Sequence, residues 1–338
     1  MEFPQSKTDF MPLDTLMMEA VAPKAIMAAL ERKLFDHFSE KGMTAAELAV
    51  RAGLVAGRLE PLLDILTAVG LAEKKRDKYV NSPVAEEFLV STSPLYQGDY
   101  LALTMRFTTC IEQSLDDLLA GGKMEQGGMG EHWSTGRAMD GAAQNALWAG
   151  AGALADVAAS LPGFDSFRTM CDIGGNHGLY TLGVLDRNPA LSGSIFDLPS
   201  VVEQSAQRCA KSGYGERVDI VGFDFRKETL PKSQYDLALA SHFLYAFKDD
   251  LAGALRKIAH GLKPGGWFIS HHYCGSAGPK HALRDACLEL VTRLSGHPSH
   301  VIRHEELKEA LDQAGFGEVR FNTVPGREMS LLTSARKL

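Results

Sequence analysis

Asp172-Ile173-Gly174-Gly175-Asn176-His177-Gly178 is the stretch on which the reading of this chain turns. It follows the apolar-leaning run 167–171 and precedes a segment, 179–185, that reads as a helix. The pattern is a strand ending in an acid, a turn through glycines, and a helix start. Glycine lets the backbone turn sharply and approach a neighbour closely, because no Cβ intervenes. In open α/β sheets such a turn holds nucleotide-like ligands.

Acids recur at matching intervals beyond it. Asp197 closes a second strand-like run, 193–196, nineteen residues after Gly178. A carboxylate there can accept both hydroxyls of a ribose. Asp224 closes a third run, 217–223, and Phe225 offers a ring face to an adenine. The first turn lacks the G-x-G-x-x-G spacing, and Asp172 stands two residues before the first glycine. That acid would repel a pyrophosphate and favour a ligand with an ammonium and a sulfonium. S-adenosylmethionine fits, with its amino-acid end at Asp172, Gly174, Gly175 and Gly178, its ribose on Asp197 and its adenine near Asp224 and Phe225. A dinucleotide fold with a degenerate fingerprint is the alternative.

The stretch from Asp172 to Gly178, Phe196-Asp197-Leu198-Pro199, Gly222-Phe223-Asp224-Phe225 and Lys263-Pro264-Gly265-Gly266 together resemble the S-adenosylmethionine-dependent small-molecule O-methyltransferases. Plant caffeate and hydroxyindole enzymes belong to that family, and the resemblance covers nearly the whole chain. It implies an α/β fold, a Rossmann-like seven-stranded sheet that is mostly parallel with an antiparallel last strand. It also implies an N-terminal α-helical winged-helix dimerisation domain, a homodimer, and an acceptor bound between domains. On this reading residues 1–95 are the dimerisation domain, 96–165 a helical bridge to the acceptor pocket, and 166–338 the methyltransferase domain. Leu198 and Ser241 join the cofactor contacts by resemblance.

Composition describes an ordinary soluble globular protein. The 338 residues are 45% hydrophobic and 23% charged, enough for two cores. A net charge of −7 argues against a nucleic-acid or anionic-membrane partner. No apolar run is long enough to span a bilayer, and the first residues lack a signal-peptide pattern. The five cysteines form no C-x-x-C, against a disulfide framework or structural zinc. A cytoplasmic location is expected.

Residues 12–36 show helical apolar spacing. Thr44 with Glu47 forms a capping-box pattern before a helix over 45–52. A helix through 59–69 and a charged hairpin over 73–80 complete a winged-helix pattern. The second helix carries Arg58 against Glu60 and Asp64, so a DNA-reading face is not expected. Residues 95–163 read as helical, with a glycine-rich connection over 121–130. Beyond it, Trp133, Met139 and Trp148 are candidates for an acceptor wall. Strands then alternate with helices at 179–185, 201–212, 251–261, 282–294 and 304–314, which demands a mostly parallel sheet. The strands near 318–323 and 328–334 are joined by Pro325-Gly326 and must pair antiparallel.

The resemblance breaks where the chemistry should sit. Family members use a histidine after the fourth strand of the sheet to take the acceptor's proton; here Tyr245 aligns with it. Tyrosine, with a pKa near 10, is a poor base at neutral pH. The family's two supporting acids align with His272 and near Val301. Tyr245, His272 and His242 are therefore the catalytic candidates, with His297, His300 and Arg303 for the acceptor. Arginine and histidine in place of carboxylates favour an acceptor bearing its own carboxylate. A thioether has no proton to lose, so 4-methylthio-2-hydroxybutyrate, a precursor of dimethylsulfoniopropionate, is the leading specific acceptor. O-methylation of a hydroxylated aromatic, with His242 or His272 as base, is the rival, and S-adenosylmethionine binding without methyl transfer a third reading. No metal site is expected. His271 and His272 alternate across a strand, and Pro298 with a helix start expected at Arg303 or His304 disfavours continuous helix between His300 and His304.

Overall fold

The computed structural model describes residues 3–122, 136–275 and 278–338, which form two compact units, Met1–Ala102 and Leu103–Leu338. Trp133 and most of the glycine-rich 121–130 stretch lie outside the described residues.

The first unit holds α1 (Met11–Glu19), α2 (Val21–Glu31), β1 (Met43–Thr44), α3 (Ala45–Ala52), α4 (Ala56–Ala68), β2 (Ala72–Lys75), β3 (Lys78–Asn81) and α5 (Pro83–Phe88). The single helix expected over 12–36 is instead two helices and a separate 3-10 turn, Leu34–His37. α1 buries no residue, so no packed face holds it in line with α2, and Lys33 in the left-handed region (φ 50°) stops the second helix. The turn then buries Leu34 and Phe35. The capping box forms as read: Thr44 Oγ1 accepts from the Glu47 N–H at 3.2 Å, and Glu47 Oε2 accepts from the Thr44 N–H at 2.7 Å. Leu59, Leu63 and Leu66 recur at helical spacing and give α4 its buried face. The sheet order is β1-β3-β2, and Lys74 on the hairpin pairs with Asp64.

In the second unit, α6 (Gly98–Leu119) is followed by α7 (Gly136–Ala149), α8 (Ala151–Ala159), β4 (Thr169–Ile173), α9 (Leu179–Arg187), β5 (Ser192–Asp197), α10 (Val202–Ala210), β6 (Val218–Gly222), β7 (Tyr235–Ser241), α11 (Leu251–Gly261), β8 (Leu262–Tyr273), α12 (Ala282–Leu294), α13 (His304–Gln313), β9 (Phe316–Val324) and β10 (Arg327–Lys337). α6 itself begins within the first unit. The sheet order is β6-β5-β4-β7-β8-β10-β9. β4 to β8 pair in parallel, and β10 runs antiparallel to both β8 and β9.

Strand alternation divides the core into two layers. Met170, Leu239, Ile269 and Leu332 face α8 and α9, while Cys171, Ala238, Phe268 and Ala335 face α11 and α13. Two boundaries differ from the sequence reading. β4 continues through Asp172 to Ile173, so the acid lies within the strand. β8 begins at Leu262, and the Lys263–Gly266 turn becomes an interruption inside it. Gly265 is left-handed (φ 75°) and the pairing with β7 slips between Tyr235 and Leu237. Among the described residues no helix is long and apolar enough to cross a membrane.

Candidate active site

β4 and β5 deliver the first half of the site at their carboxyl ends. Gly174 (φ 70°) donates its N–H to the Phe196 carbonyl at 2.7 Å. A Cβ at Gly174 would stand 2.5 Å from the Phe243 ring, one at Gly175 2.8 Å from the Asp172 carboxyl, and one at Gly178 2.8 Å from Cys209 Sγ. The protein's own packing therefore requires all three glycines.

Asp172 is buried under this turn. The Thr181 hydroxyl donates to Oδ2 at 2.8 Å, whereas Oδ1 is buried with no hydrogen-bond partner. Burial raises its pKa to about 6, against the Thr181 bond, with the Asp197 charge adding to the rise. An orphaned carboxylate oxygen of this kind fits a cationic ligand end. Asp197 accepts from the Asn176 N–H at 2.9 Å and the Leu198 N–H at 2.7 Å. Burial lifts its pKa and these two bonds oppose the lift. Asp224 lies just past β6, paired with Lys227 at 2.9 Å, and that contact lowers its pKa. Phe225 is 4% exposed, packed edge-on against Phe243 and Phe247 in the core.

The second half is a chain of rings. His177 lies against Tyr180, Tyr180 against His271, His271 against His242 (4.4 Å between centroids), His242 against Tyr273 (4.9 Å), Tyr273 against His300, His300 against Tyr245 (4.2 Å, stacked), and Tyr245 against His297. His242 follows β7 in the left-handed region (φ 50°), with its N–H donating to the His271 carbonyl at 2.7 Å. Its Nε2 is buried and has no partner. Tyr245 begins the chain's far end, where burial pushes its phenol pKa up. Burial also holds the imidazoles neutral: His242 well below its usual value, His177 and His271 at about 3, His300 at about 4. In His177 the Leu179 N–H donates to Nδ1 at 3.1 Å, which leaves the ring proton on Nε2.

The structure thus brings His242, Tyr245, His297 and His300 together. His272 points to the other face of β8, where Ser270 Oγ lies 3.3 Å from its Nδ1 and burial lowers its pKa to about 3. His271 occupies the His242 side, and the Tyr180 hydroxyl hydrogen-bonds its Nδ1 at 3.1 Å. Ser241 ends β7 with a buried, unpartnered Oγ. Met139 is buried on α7, Trp148 is 46% exposed beneath Arg327, and Arg303 is exposed at the start of α13. Tyr180, His271 and Tyr273 escaped the sequence reading. The alternation with Trp267 and Ile269 on β8 is the signal that separates His271 from His272. Among the described residues no group of three or more His, Cys, Asp or Glu side chains is placed to hold a metal ion.

The chain matches the O-methyltransferase domain family over residues 138–317 and the O-methyltransferase dimerisation domain over 15–91. It is 27% identical over 316 residues to the tetracenomycin polyketide synthesis 8-O-methyl transferase of Streptomyces glaucescens, covering 92% of each chain. It is 26% identical to the 3-hydroxy-5-methyl-1-naphthoate 3-O-methyltransferase of Streptomyces sahachiroi, over 88% of this chain and 86% of that one. The crystal structure of human N-acetylserotonin methyltransferase in complex with SAM superposes with a TM-score of 0.76 at 22% identity, over 99% of both chains. The chain therefore belongs to the O-methyltransferase family and is an S-adenosylmethionine-dependent methyltransferase of a small-molecule acceptor.

Proposed function

We propose that the protein methylates a hydroxyl oxygen of a small oxygenated acceptor, with His242 receiving the hydroxyl proton. The observation that carries this reading is the buried, unpartnered Nε2 of His242 at the carboxyl end of β7. The next residue, Phe243, packs on Gly174, which links this nitrogen to the turn proposed for the donor. Bound S-adenosylmethionine supplies an activated methyl group for in-line displacement, so the protein's contribution is alignment and proton handling.

Each residue has a defined task. The orphaned Oδ1 of Asp172 meets the cationic amino-acid end at Gly174, Gly175 and Gly178, and Asp197, anchored by two backbone N–H groups, keeps lone pairs for the ribose. Leu198 and Ser241 flank this crevice and Asp224 stands at the adenine end, while Phe225, expected there from the sequence, is packed in the core behind it. Burial keeps His242 neutral at pH 7, the form that can accept a proton, and the proton of an acidic hydroxyl such as a phenol is the easiest for so weak a base to take. Tyr245, His297 and His300 form a stacked wall for the acceptor, with Met139 and Trp148 on the α7 side. Methylation of hydroxyl groups by the tetracenomycin and naphthoate relatives supports this acceptor class. The dimerisation-domain match supports a homodimer assembled through the N-terminal unit.

One observation favours a second reading. Tyr245, which the family resemblance aligns with the base, has a raised pKa, and a thioether such as 4-methylthio-2-hydroxybutyrate needs no base. A panel of hydroxyarenes and thioether acids, scored by S-adenosylhomocysteine release, separates the two. Oxygen chemistry predicts turnover of a hydroxyarene and a loss of about 100-fold in kcat for His242→Ala. Turnover of the thioether acid alone, indifferent to that substitution, would establish the second reading.

A further inference from the structure

Beyond His242, buried polar atoms without partners line up across three adjacent strands. Ser241 on β7 pairs with His271 on β8, and Ser330 on β10 pairs with Tyr273, two residues on from His271. Alternation places Ser241, His271, Tyr273 and Ser330 on one face of the sheet. Ser241 Oγ, His271 Nε2 and Ser330 Oγ are all buried and have no hydrogen-bond partner. Each such atom left dry costs stability, so its retention points to a ligand that satisfies it.

The rim of this face carries a cation. Gly150 (φ 132°) breaks the helix between α7 and α8, and a Cβ there would meet Val324 at 3.2 Å and His271 Cε1 at 3.4 Å. Arg327 pairs with Val324 across the β9–β10 turn, and its guanidinium lies 3.3 Å from the Trp148 ring centroid. The arginine is thereby held on the His271 side of the ring chain, and its charge reaches His242, His271 and Tyr180.

Resting on the methyl-transfer reading, we propose that His271, Ser330 and Arg327 form a carboxylate-reading subsite that selects acceptors carrying an acid group. In the tautomer whose Nδ1 accepts the Tyr180 hydroxyl, His271 presents an Nε2–H donor, Ser330 adds a hydroxyl donor, and Arg327 supplies the charge. Arg303, exposed on α13, takes no part in this group.

The test is calorimetry on the full-length protein saturated with S-adenosylhomocysteine, using 3-hydroxybenzoate and its neutral counterpart 3-hydroxybenzyl alcohol. The acid is expected to bind about tenfold tighter or better, as hydrogen bonds to a charged group allow. Arg327→Met and Ser330→Ala should each shrink that preference to about threefold or less. Ser330→Ala should at the same time keep or raise Tm, because its hydroxyl has no partner to lose; a purely structural serine would show the reverse. Equal affinities, binding of neither probe, or an intact preference in both variants overturns the subsite. A clear preference without methylation of any hydroxyarene upholds the subsite and sinks the oxygen chemistry instead.

Discussion

The two halves of the site lie on neighbouring strands and have opposite electrostatics. At the ends of β4 and β5 stand Asp172, buried, and Asp197, half-buried, both with raised pKa values and the first with an orphaned oxygen. At the ends of β7 and β8 stand His242 and His271, held neutral by burial, with the Arg327 cation as their charged neighbour. The acidic half suits a cation and the neutral-to-basic half suits an anion. A methyl-transfer site needs both, since a sulfonium donor and an electron-rich acceptor must meet at one boundary.

Removing the acid should break this contrast most severely. Asp172→Asn keeps the Thr181 contact but deletes the buried charge, and a loss of about 30-fold to 1000-fold in S-adenosylmethionine affinity is expected by calorimetry. The acidity of the same residue gives a pH test. Its folded pKa of about 6 lies above the ordinary 3.8, so in the free protein the protonated carboxyl is favoured. That contribution to stability is present at low pH and is lost as pH rises through about 6, at a cost of about 3 kcal/mol when complete. A cationic ligand prefers the ionised form, so donor affinity should rise by roughly tenfold between pH 5 and pH 7 and then level. Titrations in buffers of different ionisation enthalpy should show proton release below pH 6.

The packing between the halves gives the next effect. Gly174→Ala combines a left-handed φ of 70° with a Cβ 2.5 Å from Phe243. A destabilisation of about 1–3 kcal/mol is expected in urea unfolding, together with weaker donor binding. The smallest effect belongs to Tyr245→Phe. The stacked ring is retained and a raised-pKa hydroxyl is lost, so kcat should change by less than about threefold if Tyr245 is a wall and not a base.

Legibility in the sequence divides along the same boundary. The acidic half was readable because its parts are local: strand, acid, glycines and helix occur in one run, and Asp197 follows at a fixed interval. What could not be read was that the glycines answer to Phe243, Asp172 and Cys209, because Phe243 and Cys209 come from other elements. The ring chain is assembled from four separated segments around His177, His242, His271 and His297, and no periodicity encodes such a meeting. Alignment with the family selected His272, yet the β8 alternation puts His271 beside His242 and turns His272 toward Ser270. Helical spacing over 12–36 was real, but α1 buries nothing, and periodicity alone does not say where a helix has a core to lie on.

The most direct test of this electrostatic division is the protonation state of the ring chain. Heteronuclear NMR of the protein with 15N-labelled histidine should show His242 and His271 as neutral imidazoles from pH 8 down to pH 5. Midpoints between about 6 and 7 for His242 or His271 would contradict the account, because ordinary histidine titration would mean that neither ring is held neutral by the fold.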